Sequence, residues 1–360
     1  MKNTFNPSRR RVLQGLALSA GAAVLQGCQT MPSPSASIPP RPNHRLYLAA
    51  CSGIVPAKQR QLALPRLERA GFALENAAAV ERSYLRFAGR DEERKADLTQ
   101  LLAQAQLPSI VLAARGGYGA MRLLPDLDFA RLGARLRESQ TLLIGYSDFC
   151  AIQLALLAKS GTGSFAGPML GDLGNAHPSE YTVNEFIATL TTPQRSLRVA
   201  HSGARGSGEG IFWGGNLSVL CSLVGTPYLP DIRGGLLFLE DVGEQPYRVE
   251  RMLQQLRLAG VLQKQRAIFL GDFSMHKHVD AYDPRYDFDA VVAELRQISG
   301  VPVFTGLPFG HIANKTTLPL GFPARFQADG DSLTLQFLDY PTISPLGLQP
   351  QALLDQPALA

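Results

Sequence analysis

Runs of apolar residues alternate along most of the chain with segments whose apolar residues recur at helical spacing. The apolar runs predict buried strands at 45–53, 109–114, 142–146, 235–240, 267–271 and 302–305. The periodic segments predict helices at 57–70, 92–105, 150–157, 247–259 and 287–298. Strands that alternate with helices predict an α/β fold with a doubly wound parallel sheet, whose ligands bind at the carboxyl ends of the strands.

The pattern also divides the chain into segments. After residue 321 it changes to short strands that complete a sheet, and 345–360 is predicted to be loose. The predicted organisation is an export signal over 1–27, a Pro/Ser-rich tether over 28–43, an N-terminal domain over 44–175, a connection over 176–210, a C-terminal domain over 211–340 and a tail over 341–360. The Gly-rich stretch 205–210 lacks the Lys-Ser/Thr of a phosphate-binding loop and is interpreted as a flexible turn before a strand.

The first 30 residues have the pattern of a targeting segment. Paired arginines at 9–11 precede a mildly apolar stretch and resemble a twin-arginine export signal. Leu-Gln-Gly-Cys at 25–28 resembles a lipobox, so we expect Cys28 to be lipidated and to become the N-terminus. An uncleaved anchor is disfavoured because the apolar stretch is shorter than the roughly 20 residues that span a bilayer. Gln29 favours the outer over the inner membrane.

Charge and cysteine usage narrow the function classes. The formal net charge is +5, and removing the four basic residues of the leader leaves about +1. A nucleic-acid partner is therefore not expected. The other cysteines, Cys51, Cys150 and Cys221, lie in apolar contexts without a CxxC pair, and we predict three buried free thiols.

Ser147 lies where the strand at 142–146 changes into a helix. A hydroxyl at such a turn is exposed beside free backbone N–H groups, which suits a nucleophile with an oxyanion hole. The same position also suits an ordinary helix N-cap, the more common role. An α/β-hydrolase would carry glycine two residues after the serine, and Phe149 there disfavours an ordinary esterase or lipase.

Two further residues could complete a catalytic set with Ser147. Glu240 ends an apolar strand, and His311 lies in a Gly/Pro-punctuated loop after another strand. Taken alone, Glu240 could equally cap a helix or pair with an arginine. The order Ser, Glu, His is one known way to thread a catalytic triad through a fold. His276 and His278 form an HxH pair in a polar loop, which is usually solvated, and no third metal ligand has suitable spacing.

Several separate motifs resemble those of the serine LD-carboxypeptidases, a family that includes microcin-immunity hydrolases. The motifs occur in consistent order between residues 44 and 326. They are Arg-Gly-Gly-Tyr-Gly at 115–119, Gly-Tyr-Ser-Asp at 145–148, Gly-Gly-Asn-Leu at 214–217, Leu-Glu-Asp-Val-Gly-Glu at 239–244, and Gly-His at 310–311 before Leu-Pro-Leu-Gly at 318–321.

The resemblance implies an N-terminal flavodoxin-like or amidotransferase-like domain and a C-terminal swivelling α/β domain, with the site between them and usually a homodimer. It implies Ser147 as nucleophile, His311 as base and Glu240 as the group that orients His311. The backbone N–H groups of Gly117 and Asp148 would form the oxyanion hole. The implied reaction is hydrolysis of the amide between meso-diaminopimelate and the terminal D-alanine of muropeptides, with no metal and no cofactor.

The finer expectations are open to alternatives. Arg115, Asn216 and Glu244 are candidate substrate contacts, although a structural role is equally compatible with each. The export signal predicts a periplasmic lipoprotein, unlike many members of the family, which act in the cytoplasm. A microcin-type hydrolase of peptide–nucleotide amides is a second possibility, for which Trp213 is the only tryptophan that could stack on a base. A non-catalytic muropeptide-binding lipoprotein is the third.

Overall fold

A computed structural model describes residues 44–200 and 204–356. The predicted export signal, the lipobox with Cys28 and the tether lie outside the described residues. Within the described ranges, no helix is both long enough and apolar enough to cross a membrane. The described residues lie in one compact unit that contains two β-sheets.

The strands come in chain order from both halves of the chain. They are β1 (His44–Ala49), β2 (Phe72–Glu75), β3 (Ile110–Ala113), β4 (Leu142–Gly145), β5 (Ser164–Ala166), β6 (Arg195–Ala200), β7 (Arg205–Asn216), β8 (Leu236–Glu240), β9 (Ala267–Leu270), β10 (Val303–Phe304), β11 (Leu318–Leu320), β12 (Phe322–Asp329) and β13 (Ser332–Phe337).

The first sheet has the order β11-β5-β4-β3-β1-β2. Its neighbours pair in parallel from β5 to β2, and only β11 runs antiparallel, against β5. The residues of β3 and β4 are buried throughout, as expected for a sheet covered on both faces. The predicted doubly wound parallel sheet is confirmed. The strand β11 was not predicted, and it returns the chain to the first sheet after most of the second has been built.

The second sheet has the order β10-β9-β8-β7-β12-β13-β6. Strands β7 to β10 pair in parallel, and β12, β13 and β6 add an antiparallel half. The predicted continuation of α/β alternation is confirmed, as are the short strands after residue 321. The connection predicted over 176–210 already contains β6 and the start of β7, so strands of the second sheet begin before residue 211.

The helices pack on the two sheets. They are α1 (Ala57–Arg69), α2 (Asp91–Thr99), α3 (Phe129–Glu138), α4 (Cys150–Ser160), α5 (Leu170–Leu173), α6 (Glu180–Thr191), α7 (Leu217–Ser222), α8 (Pro246–Leu258) and α9 (Phe288–Ser299). All five predicted helices are present, although the one expected to reach residue 105 ends as an α-helix at Thr99 and continues as a 3₁₀ turn. Cys51, Cys150 and Cys221 are buried free thiols, as predicted.

The glycines at 206, 208 and 210 form part of β7 instead of the predicted turn. A Cβ atom on Gly210 would lie 2.3 Å from the carbonyl oxygen of Gly234, and one on Gly214 would lie 1.9 Å from that of Phe238. Neighbouring backbone therefore approaches β7 too closely for side chains. Gly210 and Gly214 are thus required by packing, and a Gly-rich composition alone does not distinguish such a strand from a turn.

The end of the chain is held more firmly than predicted. Residues Pro350–Leu353 form a 3₁₀ turn in which Leu353 is fully buried. The amide of Gln349 donates to the carbonyl of Ala70, and Nε of Arg66 donates to the carbonyl of Asp355 at 2.7 Å. The expectation of a loose tail is wrong for this part, because its apolar side chains complete the packing of α1.

Candidate active site

Ser147 is separated from β4 by Tyr146 alone and begins a 3₁₀ turn that leads into α4. Its φ is 60°, a left-handed backbone conformation that is uncommon for residues other than glycine. Two residues earlier, a Cβ atom on Gly145 would lie 2.5 Å from the ring of the buried Phe149. The small residue that this tight turn needs thus precedes the serine, which explains how Phe149 can stand where an α/β-hydrolase has glycine.

His311 lies in the loop between β10 of the second sheet and β11 of the first. Its Nε2 is 2.9 Å from Oγ of Ser147, and its Nδ1 is 2.8 Å from Oε2 of Glu240. The ring is also 5.1 Å from that of Tyr146. A loop that joins the two sheets thus brings together residues from both.

Glu240 is the last residue of β8 and is fully buried. Its Oε2 faces His311, and its Oε1 accepts a hydrogen bond from the side-chain amide of Asn216 at 3.1 Å. A buried carboxylate needs such partners because its desolvation is costly. Since an ionised carboxylate only accepts hydrogen bonds, Nδ1 of His311 carries the proton in this contact, and Nε2 is left to accept the hydroxyl proton of Ser147.

The electrostatic surroundings favour the protonated form of His311. Burial acts to lower its pKa, but the hydrogen bond and charge of Glu240, with the charges of Asp241 and Asp172, outweigh burial and raise the pKa above 6.5. Asp241 adjoins the same network: its carboxylate accepts from Asn216, Ser218 and Val242. Burial raises the pKa of Asp241 to about 6.

The segments predicted to supply an oxyanion hole meet at Ser147. A Cβ atom on Gly116 would lie 2.7 Å from Oγ of Ser147 and 3.5 Å from the amide nitrogen of Asp148. The side chain of Asp148 is buried and accepts from the amide of Ala120 at 2.8 Å, which ties the glycine loop to the serine turn. Gly117, with φ of 103°, takes a conformation that suits glycine. The two predicted donors thus belong to segments in contact beside the serine.

The three candidate substrate contacts lie in different surroundings. The Arg115 side chain is exposed and donates to the carbonyl of Ile54 at 2.7 Å. Glu244 is partly exposed and lies 3.7 Å from Arg248.

Asn216 is only 4 % exposed, and protein groups occupy its side-chain amide. These contacts favour the structural role that was considered beside substrate contact, because the side-chain amide of Asn216 bridges Glu240 and Asp241.

Beside His311 lies a cavity of about 330 Å³ that the sequence analysis did not anticipate. Its wall includes Tyr146, Asp172 and Lys315. Oδ1 of Asp172 accepts from the Tyr146 hydroxyl at 3.1 Å and from Nζ of Lys315 at 2.9 Å. One signal could have indicated part of this cluster, since Lys315 follows His311 by four residues in the same loop.

Trp213 does not line this cavity. Its side chain is fully buried within the second sheet, and its Nε1 donates to Oε1 of Gln265 at 2.9 Å. It therefore offers no stacking surface to a ligand, and the expectation that it could stack on a base is wrong.

Family models for the LD-carboxypeptidase N-terminal and C-terminal domains match residues 46–167 and 209–326, respectively. The chain belongs to the LD-carboxypeptidase family. The matched ranges contain the turn with Ser147, the strand end with Glu240 and the loop with His311, so they cover all three residues of the hydrogen-bonded set.

Curated relatives within the family support a carboxypeptidase. The probable murein peptide carboxypeptidase of Bacillus subtilis is 32% identical over 74% of this chain and 83% of its own length. The murein tetrapeptide carboxypeptidase of Pseudomonas aeruginosa is 32% identical over 77% of this chain and 91% of its own. A crystal structure of muramoyltetrapeptide carboxypeptidase from Oxalobacter formigenes is 42% identical, with a TM-score of 0.76, and covers 83% of this chain and 100% of that one. The protein is a carboxypeptidase with the two-domain α/β arrangement of these relatives.

Proposed function

We propose that this carboxypeptidase is a serine enzyme that hydrolyses the amide between the L-centre of meso-diaminopimelate and the terminal D-alanine of peptidoglycan tetrapeptides. The observation that carries the proposal is the continuous hydrogen-bonded set from Ser147 through His311 to Glu240, at 2.9 and 2.8 Å. The murein and muramoyltetrapeptide names of the relatives support the substrate class.

In the proposed reaction, Nε2 of His311 takes the proton of Ser147 as Oγ attacks the scissile carbonyl carbon. The imidazolium that forms is stabilised by Glu240, which also holds the ring in the required tautomer. Nε2 then gives the proton to the nitrogen of D-alanine, and the C–N bond breaks to leave an ester on Ser147. Water, deprotonated by His311, hydrolyses the ester and regenerates the hydroxyl.

The negative charge that develops on the carbonyl oxygen needs donors fixed before the reaction. We assign that role to the backbone N–H groups of Gly117 and Asp148, as the resemblance implies. The contact of the 116–117 backbone with the Ser147 turn supports the assignment. Removing one such donor typically raises the activation free energy of the reaction by about 2.7–4 kcal/mol.

The proposed site of action is the periplasm, where the lipidated Cys28 would hold the enzyme at a membrane face, with the outer membrane favoured. The support is the sequence of the leader alone: paired arginines followed by a lipobox. We also propose a homodimer, on the resemblance to the family.

Two other functions have less support. A microcin-type hydrolase of peptide–nucleotide amides would use the same three residues, but Trp213 is buried and cannot supply the aromatic platform. A non-catalytic binding lipoprotein predicts a damaged set of catalytic residues, whereas Ser147, His311 and Glu240 are present and hydrogen-bonded.

The test is release of free D-alanine from a purified disaccharide-tetrapeptide by the full-length protein, followed by mass spectrometry. A tetrapeptide with L-alanine at its end serves as the control substrate. Release of D-alanine supports the proposal, whereas a bound but uncleaved tetrapeptide would favour the binding lipoprotein.

A further inference from the structure

The cavity beside His311 contains an ion pair that the proposed chemistry does not use. Lys315 follows His311 in the same loop, and Asp172 lies on α5 of the first half of the chain. The two side chains are 4 % and 20 % exposed, and Nζ of Lys315 also lies 5.3 Å from the centre of the Tyr146 ring. Buried ion pairs are costly to form, so this pair calls for an explanation.

The hydrogen-bonding capacity of the pair is only partly used. The Asp172 carboxylate accepts from Tyr146, Lys315 and the amide of Met169, and a carboxylate has about four acceptor sites. An ammonium has three donors, and in the described part of the chain Nζ of Lys315 has one hydrogen-bond acceptor, Asp172. The pair can thus still accept one hydrogen bond and donate two.

The cavity is next to the reacting groups. Tyr146 directly precedes Ser147, and His311 contributes to the cavity wall while its Nε2 contacts Oγ of Ser147. A volume of about 330 Å³ is larger than the methyl group of an alanine requires. The remaining capacity, one acceptor and two donors side by side, matches a ligand group that carries an ammonium and a carboxylate on one carbon.

We propose that the Asp172–Lys315 pair binds the D-centre of the meso-diaminopimelate residue, with its ammonium on Asp172 and its carboxylate on Lys315. This inference rests on the proposed function, because that substrate is the source of the zwitterion. The three-methylene side chain that separates the two centres would extend from Ser147 along Tyr146 into the cavity. The pair would then select the residue whose carbonyl is attacked.

The experiment compares three tetrapeptides that end in D-alanine and differ only at the third residue: meso-diaminopimelate, its D-centre carboxamide, and L-lysine. The last two keep the ammonium but lack the carboxylate. With the full-length wild type, kcat/KM is expected to be at least tenfold higher for the meso-diaminopimelate peptide than for the other two. The reason is that loss of a hydrogen bond between charged groups typically weakens binding by at least this factor.

The variant Lys315→Met then tests the carboxylate contact. It should lower kcat/KM for the meso-diaminopimelate peptide at least tenfold and leave the other two peptides much less affected. Asp172→Asn should lower kcat/KM for all three, because each has the ammonium. Asp231→Asn removes the carboxylate of a solvent-exposed pair with Lys264 and is the matched control. Each single variant leaves one buried charge unpaired, which can destabilise the fold. The double variant Asp172→Asn/Lys315→Met removes both charges and so tests the binding role without that effect.

The outcomes separate the two proposals. Equal cleavage of the three peptides by the wild type would overturn the assignment of the cavity while the carboxypeptidase reaction stands. An equal loss on all three peptides in Lys315→Met, with the fold retained by circular dichroism, would also overturn it and would place the D-alanine carboxylate at Lys315. No cleavage of any peptide by the wild type would refute the proposed function itself.

Discussion

Oγ of Ser147 lies 2.9 Å from Nε2 of His311, although 164 residues separate them in the chain. The contact exists because the loop that carries His311 leaves the second sheet at β10 and enters the first sheet at β11, one strand away from β5 and two from β4. The serine turn, which follows β4, and the histidine loop therefore meet where the two sheets adjoin. Any substitution that shifts this loop should affect the reaction before it affects the fold.

Glu240→Gln should lower kcat by about 10⁴-fold, because a neutral amide no longer fixes the tautomer of His311 or stabilises the imidazolium. The variant should also change the pH profile. The charge of Glu240 raises the pKa of His311, and the base acts only when neutral, so activity falls as the pH drops through that raised pKa. Without the charge, the acid limb of kcat/KM should move to lower pH. An acid limb that stays in place would contradict this electrostatic account.

Gly116→Ala should lower kcat/KM by about 10²-fold or more, because the added methyl group would lie 2.7 Å from both Cβ and Oγ of Ser147. Gly161→Ala is the control: no atom lies within 4 Å of a Cβ added at Gly161, whose φ is 65°. The control should cost about 1–2 kcal/mol in the free energy of unfolding and leave kcat/KM unchanged. Wild-type activity in Gly116→Ala would show that the glycine loop does not adjoin the nucleophile as described.

Asn216→Ala should lower kcat by roughly 10–100-fold with KM unchanged, because a hydrogen bond to the charged Glu240 is lost while no substrate contact is removed. The variant should also lose about 1 kcal/mol of stability, since the Asn216 side chain caps α7. Steady-state kinetics and thermal unfolding separate the two effects. A raised KM with unchanged kcat would instead support a direct substrate contact.

Cys28→Ala should abolish incorporation of labelled palmitate and release the protein from the membrane fraction, if the lipobox is used as proposed. Cys221→Ala removes a buried thiol instead and should leave labelling unchanged. Recovery of the wild type only from the cytosol would rule out the periplasmic proposal.

The sequence predicted best those site residues whose position depends on a single strand. Ser147 follows a short, fully buried strand, and Glu240 ends another, so the apolar runs alone placed both at strand ends. All five predicted helices were found, whereas α3 (Phe129–Glu138) was not predicted although its apolar residues Phe129, Leu132 and Leu136 recur at helical spacing. The sequence also showed that Phe149 stands where an α/β-hydrolase has glycine, but it did not show that the Phe149 ring packs against Gly145.

The rest depends on contacts that local patterns do not encode. Strand β11 has three residues, too few to show a period, yet it determines where the His311 loop enters the first sheet. Asp172 and Lys315 are 143 residues apart, and nothing in their own neighbourhoods signals that they pair. Asn216 was a candidate because it belongs to a motif that resembles the family, and its burial and its hydrogen bond to Glu240 could not be read from that motif.

The most direct measurement is D-alanine release from a disaccharide-tetrapeptide by the full-length wild type, Ser147→Ala and the control Ser222→Ala. The exposed hydroxyl of Ser222 donates to the carbonyl of Ser218 on α7. Loss of a triad nucleophile commonly costs on the order of 10⁶-fold in kcat. Release is expected from the wild type and from Ser222→Ala, and no detectable release from Ser147→Ala. Release by Ser147→Ala at the wild-type rate would contradict the central claim that Ser147 is the nucleophile.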